Sequence, residues 1–160
     1  MRGIGIDPGI NKLGYGIIEE NFKVIDVGTI YPPFKLNYED KIKYILKNYE
    51  LLIEKYNPDF VSIEEIYVAK NVQIALKIGI IIGGIICKSI SYNIKFYLIP
   101  PSEIKKMVTG KGQATKEQVK FMVENLTNFH SFKSFEETDA VASAISTIFK
   151  LKEDAIFYKR

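Results

Sequence analysis

The spacing of hydrophobic residues along the chain predicts a mixed α/β fold. Three strands near the start of the chain cover residues 2–7, Leu13 to Glu19 and Phe22 to Tyr31. Their short connections favour antiparallel pairing. Helical spacing from Tyr38 to Tyr56 ends at Asn57-Pro58, and a fourth strand from Phe60 to Ile63 leads into Glu64. This order of elements predicts a crossover into a mixed sheet.

The second half of the chain predicts one strand and several helices. Residues Asn71 to Tyr92 are rich in isoleucine, but their length and lack of proline favour a helix. From Ile78 to Ile86 that helix is apolar almost all round, so we expect burial on more than one side, against the sheet and in a subunit interface. After a strand from Lys95 to Ile99, capping patterns predict three more helices. These are Ser102 through Val108, Thr115 with Gln118 to about Asn125, and Ser134 with Glu137 to about Leu151.

Composition is consistent with one globular domain. The 160 residues are 47% hydrophobic and 26% charged, and we expect a domain of residues 1–150 with a short tail of residues 151–160. The single cysteine, Cys87, fits a reducing, cytoplasmic location. The start of the chain lacks signal-peptide architecture. The longest apolar run, Ile78 to Cys87, is about half of the roughly 20 residues that cross a bilayer, so no membrane association is expected.

Positive charge is concentrated in one segment. Between Glu103 and Lys120 the chain carries five lysines and two glutamates, which accounts for the whole net charge of +3. A basic patch on an otherwise neutral protein is typical of a phosphate-contacting surface. A solvated helical face explains the same charges equally well. The lysines are Lys105, Lys106, Lys111, Lys116 and Lys120.

Four acidic residues occupy places that a fold brings together. Asp7 ends the first strand, Glu64 ends the fourth, and Glu136 and Asp139 share one face of the last helix. Carboxylates without histidine or cysteine suit hard cations such as Mg²⁺ or Mn²⁺. Two such ions about 4 Å apart can activate water and stabilise the leaving oxygen of a phosphodiester.

Each acid also has a purely structural explanation. Asp-Pro-Gly is a common turn, which accounts for Asp7. Glu64 is explained as a solvated acid after a strand, and Glu136 as an acid that favours the positive end of a helix dipole. Glu137 is better explained by helix capping than by metal binding. Asp139 is harder to dismiss, since an apolar, small-residue helix start follows it and a buried acid without a partner is costly.

Several motifs in order resemble the RuvC family of Holliday-junction resolvases. The matches are Gly5-Ile6-Asp7-Pro8-Gly9, Gly14-Tyr15-Gly16, Ile63-Glu64, Tyr67, Ala69-Lys70-Asn71, Ala75-Leu76-Lys77, Thr138-Asp139-Ala140 and Ala142. They extend from residue 2 to about residue 150, so the resemblance covers nearly the whole chain. It implies an RNase H-like fold, with a mixed five-stranded sheet flanked by helices. It also implies a homodimer that makes paired nicks in four-way DNA junctions with Mg²⁺ or Mn²⁺.

The resemblance assigns roles to individual residues. Asp7, Glu64 and Asp139 match the catalytic, metal-binding acids, and Glu136 matches the remaining metal-site position, where relatives have Asp or His. Lys105 and Lys116 match basic residues of the family that matter for junction cleavage. Together with the basic segment, the resemblance gives as expected DNA contacts Tyr67, Lys70, Lys105, Lys106, Lys111 and Lys116. Tyr67 matches an aromatic position that handles bases at the junction centre, although packing of its loop explains it equally well.

Other protein classes account for part of the sequence. Sugar kinases and actin-like ATPases open with a similar strand and turn, but they need two such domains and 160 residues are too few. A shorter RNase H-like relative without clear resolvase activity fits the length, but not the match at Ala69-Lys70-Asn71. A branched-DNA-binding protein with weak or no cleavage is the alternative function, and the presence of all four acids argues against it. A branch-migration helicase is a candidate partner.

Overall fold

A five-stranded mixed sheet forms the centre of the computed structural model, which describes residues 1–66 and 71–157. The strands are β1 (Arg2–Asp7), β2 (Leu13–Glu19), β3 (Val24–Ile30), β4 (Phe60–Glu64) and β5 (Lys95–Ile99). They are arranged in the order β3-β2-β1-β4-β5. β1 pairs antiparallel with β2 and parallel with β4, β2 pairs antiparallel with β3, and β4 pairs parallel with β5. The sheet therefore has the predicted mixed arrangement.

Among the described residues, five helices flank the sheet. They are α1 (Tyr38–Tyr56), α2 (Val72–Ser91), α3 (Pro101–Thr109), α4 (Lys116–Thr127) and α5 (Phe135–Phe157). On one face, isoleucines of the strands pack with α1 and α2 around the buried Tyr49. On the other face, α3, α4 and α5 pack in a second core around Ile145. Covering both faces buries the central strands, as parallel strands require.

Some helix and strand ends differ from the sequence predictions. β3 begins at Val24 rather than Phe22, because Phe22 has a φ of 65° in the turn. Ser102 does not cap α3, since Pro101 is already the first helical residue. Thr115 and Gln118 form the predicted capping box of α4.

The last helix is longer than predicted. α5 continues to Phe157, because residues 152–157 contain neither glycine nor proline. At its start, the Ser134 hydroxyl accepts a hydrogen bond from the Glu137 N–H, and the Glu137 carboxylate accepts one from the Lys133 N–H. Glu137 is therefore a buried capping residue, as its position predicted.

The isoleucine-rich helix α2 is less buried in the protomer than its sequence predicts. Its buried residues are only Ile81, Ile82, Ile85 and Ser89, so the expectation of burial on more than one side is wrong for the single chain. A broad apolar face with Leu76 and Ile80 remains exposed. By length and composition alone, the 20 residues of α2 are sufficient to cross a membrane. The sequence prediction considers only the uninterrupted apolar run from Ile78 to Cys87, which is half as long.

Candidate active site

Two of the predicted acids lie at the ends of neighbouring strands. Asp7 is the last residue of β1, and Glu64 is the last residue of β4. These strands run parallel, with Ile6 beside Ile63, so both carboxylates come out at the same edge of the sheet. The end of a parallel strand is a usual place for a site in α/β proteins.

Helix α5 brings the other two acids to this edge. Its backbone crosses β1 and β2 at glycines: a Cβ at Gly5 would collide with the carbonyl of Ala140, and one at Gly14 with that of Glu136. Buried hydroxyl groups also tie α5 to β4, because the Ser62 hydroxyl donates to the Ser143 carbonyl at 2.8 Å. This close packing places the first turns of α5, with Glu136 and Asp139, beside Asp7.

Three of the four carboxyl groups have a raised pKa, and the charge of the fourth, Glu136, contributes to the rise for Asp7 and Asp139. Burial, and after it the charge of Asp139, raises the pKa of Asp7 to about 7. Burial raises the pKa of Glu64 to about 8, with contributions from Asp7 and Asp139. Burial also raises the pKa of Asp139. The structure thus brings Asp7, Glu64 and Asp139 into one partly buried acidic cluster.

Two lysines of the basic segment face this cluster. The Lys116 Nζ lies 3.7 Å from Asp139 Oδ2, and its charge counteracts the rise in the pKa of Asp7, Glu64 and Asp139. Lys105 acts in the same direction on Glu64 and Asp139. The other DNA-contact candidates of the segment, Lys106 and Lys111, are exposed. Tyr67 and Lys70 lie outside the described residues.

Glu136 differs from the other acids because it already has a partner. Lys12 Nζ forms an ion pair with Glu136 Oε1, and this contact lowers the pKa of Glu136. Sequence reasoning missed Lys12. The one indication in the sequence was that Lys12 lies two residues before Gly14, and Gly14 is the residue of β2 that lies against Glu136.

The donor set suits a hard divalent cation. Among residues 1–66 and 71–157, no three acidic, histidine or cysteine side chains converge into a ready-made metal cage. The cluster nevertheless offers only carboxylate oxygens, whose burial and mutual repulsion a bound cation would relieve. A five-stranded sheet in this order, with carboxylates at adjacent strand ends and on the crossing helix, is the arrangement of the RNase H-like class of proteins.

Comparison with known proteins identifies the family. The family model described as "Crossover junction endodeoxyribonuclease RuvC" matches residues 3–147. The relative of that name from Chloroherpeton thalassium is 40% identical over 154 residues, covering 94% of this chain and 83% of its own. The one from Caldicellulosiruptor saccharolyticus is 37% identical over 164 residues, covering 99% and 98%. The chain therefore belongs to the RuvC family of crossover junction endodeoxyribonucleases, which resolve Holliday junctions.

Solved structures show the same fold. The structure described as Thermus thermophilus RuvC in complex with Holliday junction substrate has a TM-score of 0.90 at 23% identity. The match covers 96% of each chain. The yeast mitochondrial Holliday junction resolvase Ydc2 has a TM-score of 0.64 at 16% identity, covering 98% of this chain and 84% of its own. The RNase H-like architecture expected from the resemblance is confirmed.

Proposed function

We propose that Asp7, Glu64 and Asp139 are the catalytic acids with which this endonuclease cuts the strands of four-way DNA junctions. The observation that supports this proposal is the electrostatic coupling of the three carboxyl groups at one edge of the sheet. A fold gains nothing in stability from three partly buried acids that repel one another, so the arrangement needs a functional reason. Glu136 stands at the border of the cluster because Lys12 holds it.

The RuvC family is divalent-metal-dependent, and we infer Mg²⁺, with Mn²⁺ as a substitute, as the cofactor. Asp7, Glu64 and Asp139 would hold the metal, two ions per active site, with Glu136 as an additional ligand. When bound, the metal would activate the attacking water and stabilise the leaving oxygen.

The lysines of the site have two roles in this proposal. Without DNA, Lys116 and Lys105 balance part of the negative charge of the acids. With DNA, the same ammonium groups attract the phosphate to be cut, since they face the acids from α3 and α4. Lys106 and Lys111 extend this positive surface outward for other phosphates of the junction. Tyr67 and Lys70 complete the proposed set of DNA contacts.

Branched DNA and a second copy of the chain are the proposed partners. The Thermus thermophilus relative of the same fold is described in complex with a Holliday junction. Resolution of a junction needs two cuts, and a homodimer supplies two active sites. The exposed apolar face of α2 is the surface we assign to the dimer, because a face of this size is unfavourable in water. A branch-migration helicase remains a candidate partner, and the protein acts in the cytoplasm.

The test of the catalytic assignment is Asp7→Asn on synthetic DNA. We expect junction cleavage with Mg²⁺ to fall by at least about a hundredfold, because the substitution removes a metal ligand. Junction binding measured without metal should persist. Four-way, three-way and linear duplexes are compared in the same assay.

The matched control is Asp154→Asn. Asp154 is an exposed acid near the far end of α5, so its substitution changes the net charge equally and should leave cleavage unchanged. Cleavage by Asp7→Asn at the parent rate would contradict the assignment. A parent protein that binds junctions with Mg²⁺ present but does not cut them would favour the branched-DNA-binding alternative.

A further inference from the structure

A second positively charged surface lies next to the catalytic acids, on the sheet face covered by α1 and α2. It is a groove of about 600 Å³ between the β1–β2 turn and the N-terminal ends of α1 and α2. Asp7 and Glu136 line one end of it, so the groove opens into the active site. The basic patch around Lys105 and Lys116 lies on the other side of the acids, on α3 and α4.

Two lysines of this groove stand beside aromatic rings. Lys41 donates a hydrogen bond to Asn11 Oδ1 at 2.6 Å, and its Nζ lies 5.9 Å from the ring centre of Phe34. Phe34 is 93% exposed. On α2, Lys77 Nζ lies 5.4 Å from the ring centre of Tyr38, whose hydroxyl donates to the Lys77 carbonyl at 2.6 Å. The two lysines thus reach the groove from two different helices, Lys41 from α1 and Lys77 from α2.

Positive charge in the groove is only partly neutralised. Lys12 is paired with Glu136. The acids at the start of α1, Glu39 and Asp40, pair with Lys43 on the same helix. Within the part of the chain that the structure describes, Lys41 and Lys77 form no ion pair with a carboxylate.

We propose that this groove binds the DNA strand that continues from the phosphate to be cut. Lys41 and Lys77 contact its phosphates, and the exposed ring of Phe34 packs on a nucleotide. Ammonium groups next to open aromatic rings are the combination with which proteins hold single strands irrespective of base sequence. The strand then passes from the patch on α3 and α4, over the acids, into the groove. This inference rests on the proposed cleavage site.

The first test compares two double variants. Lys41→Gln with Lys77→Gln removes the two groove charges, and Lys47→Gln with Lys95→Gln removes two exposed charges outside the groove. Binding to a four-way junction is measured without divalent metal over a series of salt concentrations. For the groove variant we expect about three- to tenfold weaker binding. Each lost phosphate contact should also reduce the slope of log K against log salt by about 0.9.

The control variant should keep the parent slope and most of its affinity, and melting temperatures check that both variants fold. Equal affinities and slopes for the two double variants would overturn the inference. Failure of the proposed function can be told apart from failure of the groove assignment, because in the first case the parent protein does not cut the junction. If the parent cuts and the groove variant binds as tightly as the control, only the groove assignment fails.

A second test locates the strand. Lys41→Cys, made in a Cys87→Ser background so that it is the only thiol, is reacted with junctions that carry a mixed-disulfide tether on single phosphates, so that thiol–disulfide exchange forms the cross-link and releases the small thiol. We expect disulfide formation to be fastest at phosphates within a few nucleotides of the cut site. Equal rates along the arm would overturn the placement. The control is Lys43→Cys in the same background, and its cross-linking rate should not depend on the distance of the phosphate from the cut site.

Discussion

The carboxyl groups of Asp7 and Glu64 are unfavourable for the folded protein when they are ionised. Burial and neighbouring negative charge raise their pKa to about 7 and about 8. An ordinary carboxyl group ionises near pH 4. Between these values the folded chain therefore holds protons that the unfolded chain has already released. Function, not stability, accounts for such residues.

The sign of this difference predicts how stability depends on pH. Because the folded state binds more protons, the free energy of unfolding of the metal-free protein should fall as the pH rises from about 5 to 8. Asp7→Asn removes one of these groups, so its melting temperature at pH 8 should exceed that of the parent by several degrees. Thermal unfolding in chelator checks this. A parent that becomes more stable towards pH 8 would contradict the pKa shifts.

Lys12 should weaken metal binding by competing for Glu136. The substitution Lys12→Met frees the Glu136 carboxylate and removes a positive charge from the edge of the site. Calorimetric titration with Mn²⁺ should then show severalfold tighter binding, and the pKa of Glu136 should rise in the metal-free protein. Lys43→Met, which breaks a pair remote from the acids, is the control. Equal or weaker Mn²⁺ binding would show that Lys12 does not compete.

At the scale of elements, the position of α5 against β1 and β2 determines the site. Gly5 and Gly14 leave no room for a side chain where the helix backbone crosses the strands. The same contacts set the distance between Asp139 on the helix and Asp7 on the strand. A small shift of α5 would therefore change the spacing of the carboxylates, which is what metal binding depends on.

Gly5→Ala tests this packing. The added methyl group collides with the Ala140 backbone, which cannot move as a flexible side chain would, so we expect a loss of about 1–3 kcal/mol in the free energy of unfolding and a weaker affinity for Mn²⁺. Denaturant unfolding and calorimetry measure the two effects. In the control Gly83→Ala, nothing lies within 4 Å of the new methyl group and stability should not fall. A Gly5→Ala variant as stable as the parent would refute the close approach.

On the scale of the whole molecule, the exposed face of α2 predicts assembly. Ile80 is 55% and Leu76 is 64% exposed, and both lie on the long apolar helix α2. Ile80→Glu places a charge on this face and should convert a dimer to a monomer at micromolar concentration, as measured by light scattering. Phe121→Glu, on the equally exposed surface of α4, should leave the mass unchanged. A monomeric parent would remove the basis of the dimer proposal.

Local patterns in the sequence were sufficient for most of the elements. The capping box at Thr115 and the long helix after Asn71 follow from residues within a few positions of one another, and the mixed sheet follows from the order of strands and helices. The ends of elements were less well predicted, as at Phe22 and Ser102, because the turn before Val24 and the proline at the start of α3 set those boundaries.

The sequence by itself also predicted which acids lie together, since each one lies at the end of a strand or the start of a helix, and the structure brings Asp7, Glu64 and Asp139 into one cluster. Only the tertiary structure decided that Lys12 holds Glu136, that Lys41 and Lys77 share a groove with Asp7, and that one face of α2 is left uncovered. These features join residues far apart in the chain. Their contacts depend on how helices pack on the two faces of the sheet, and no local period of the sequence encodes that packing.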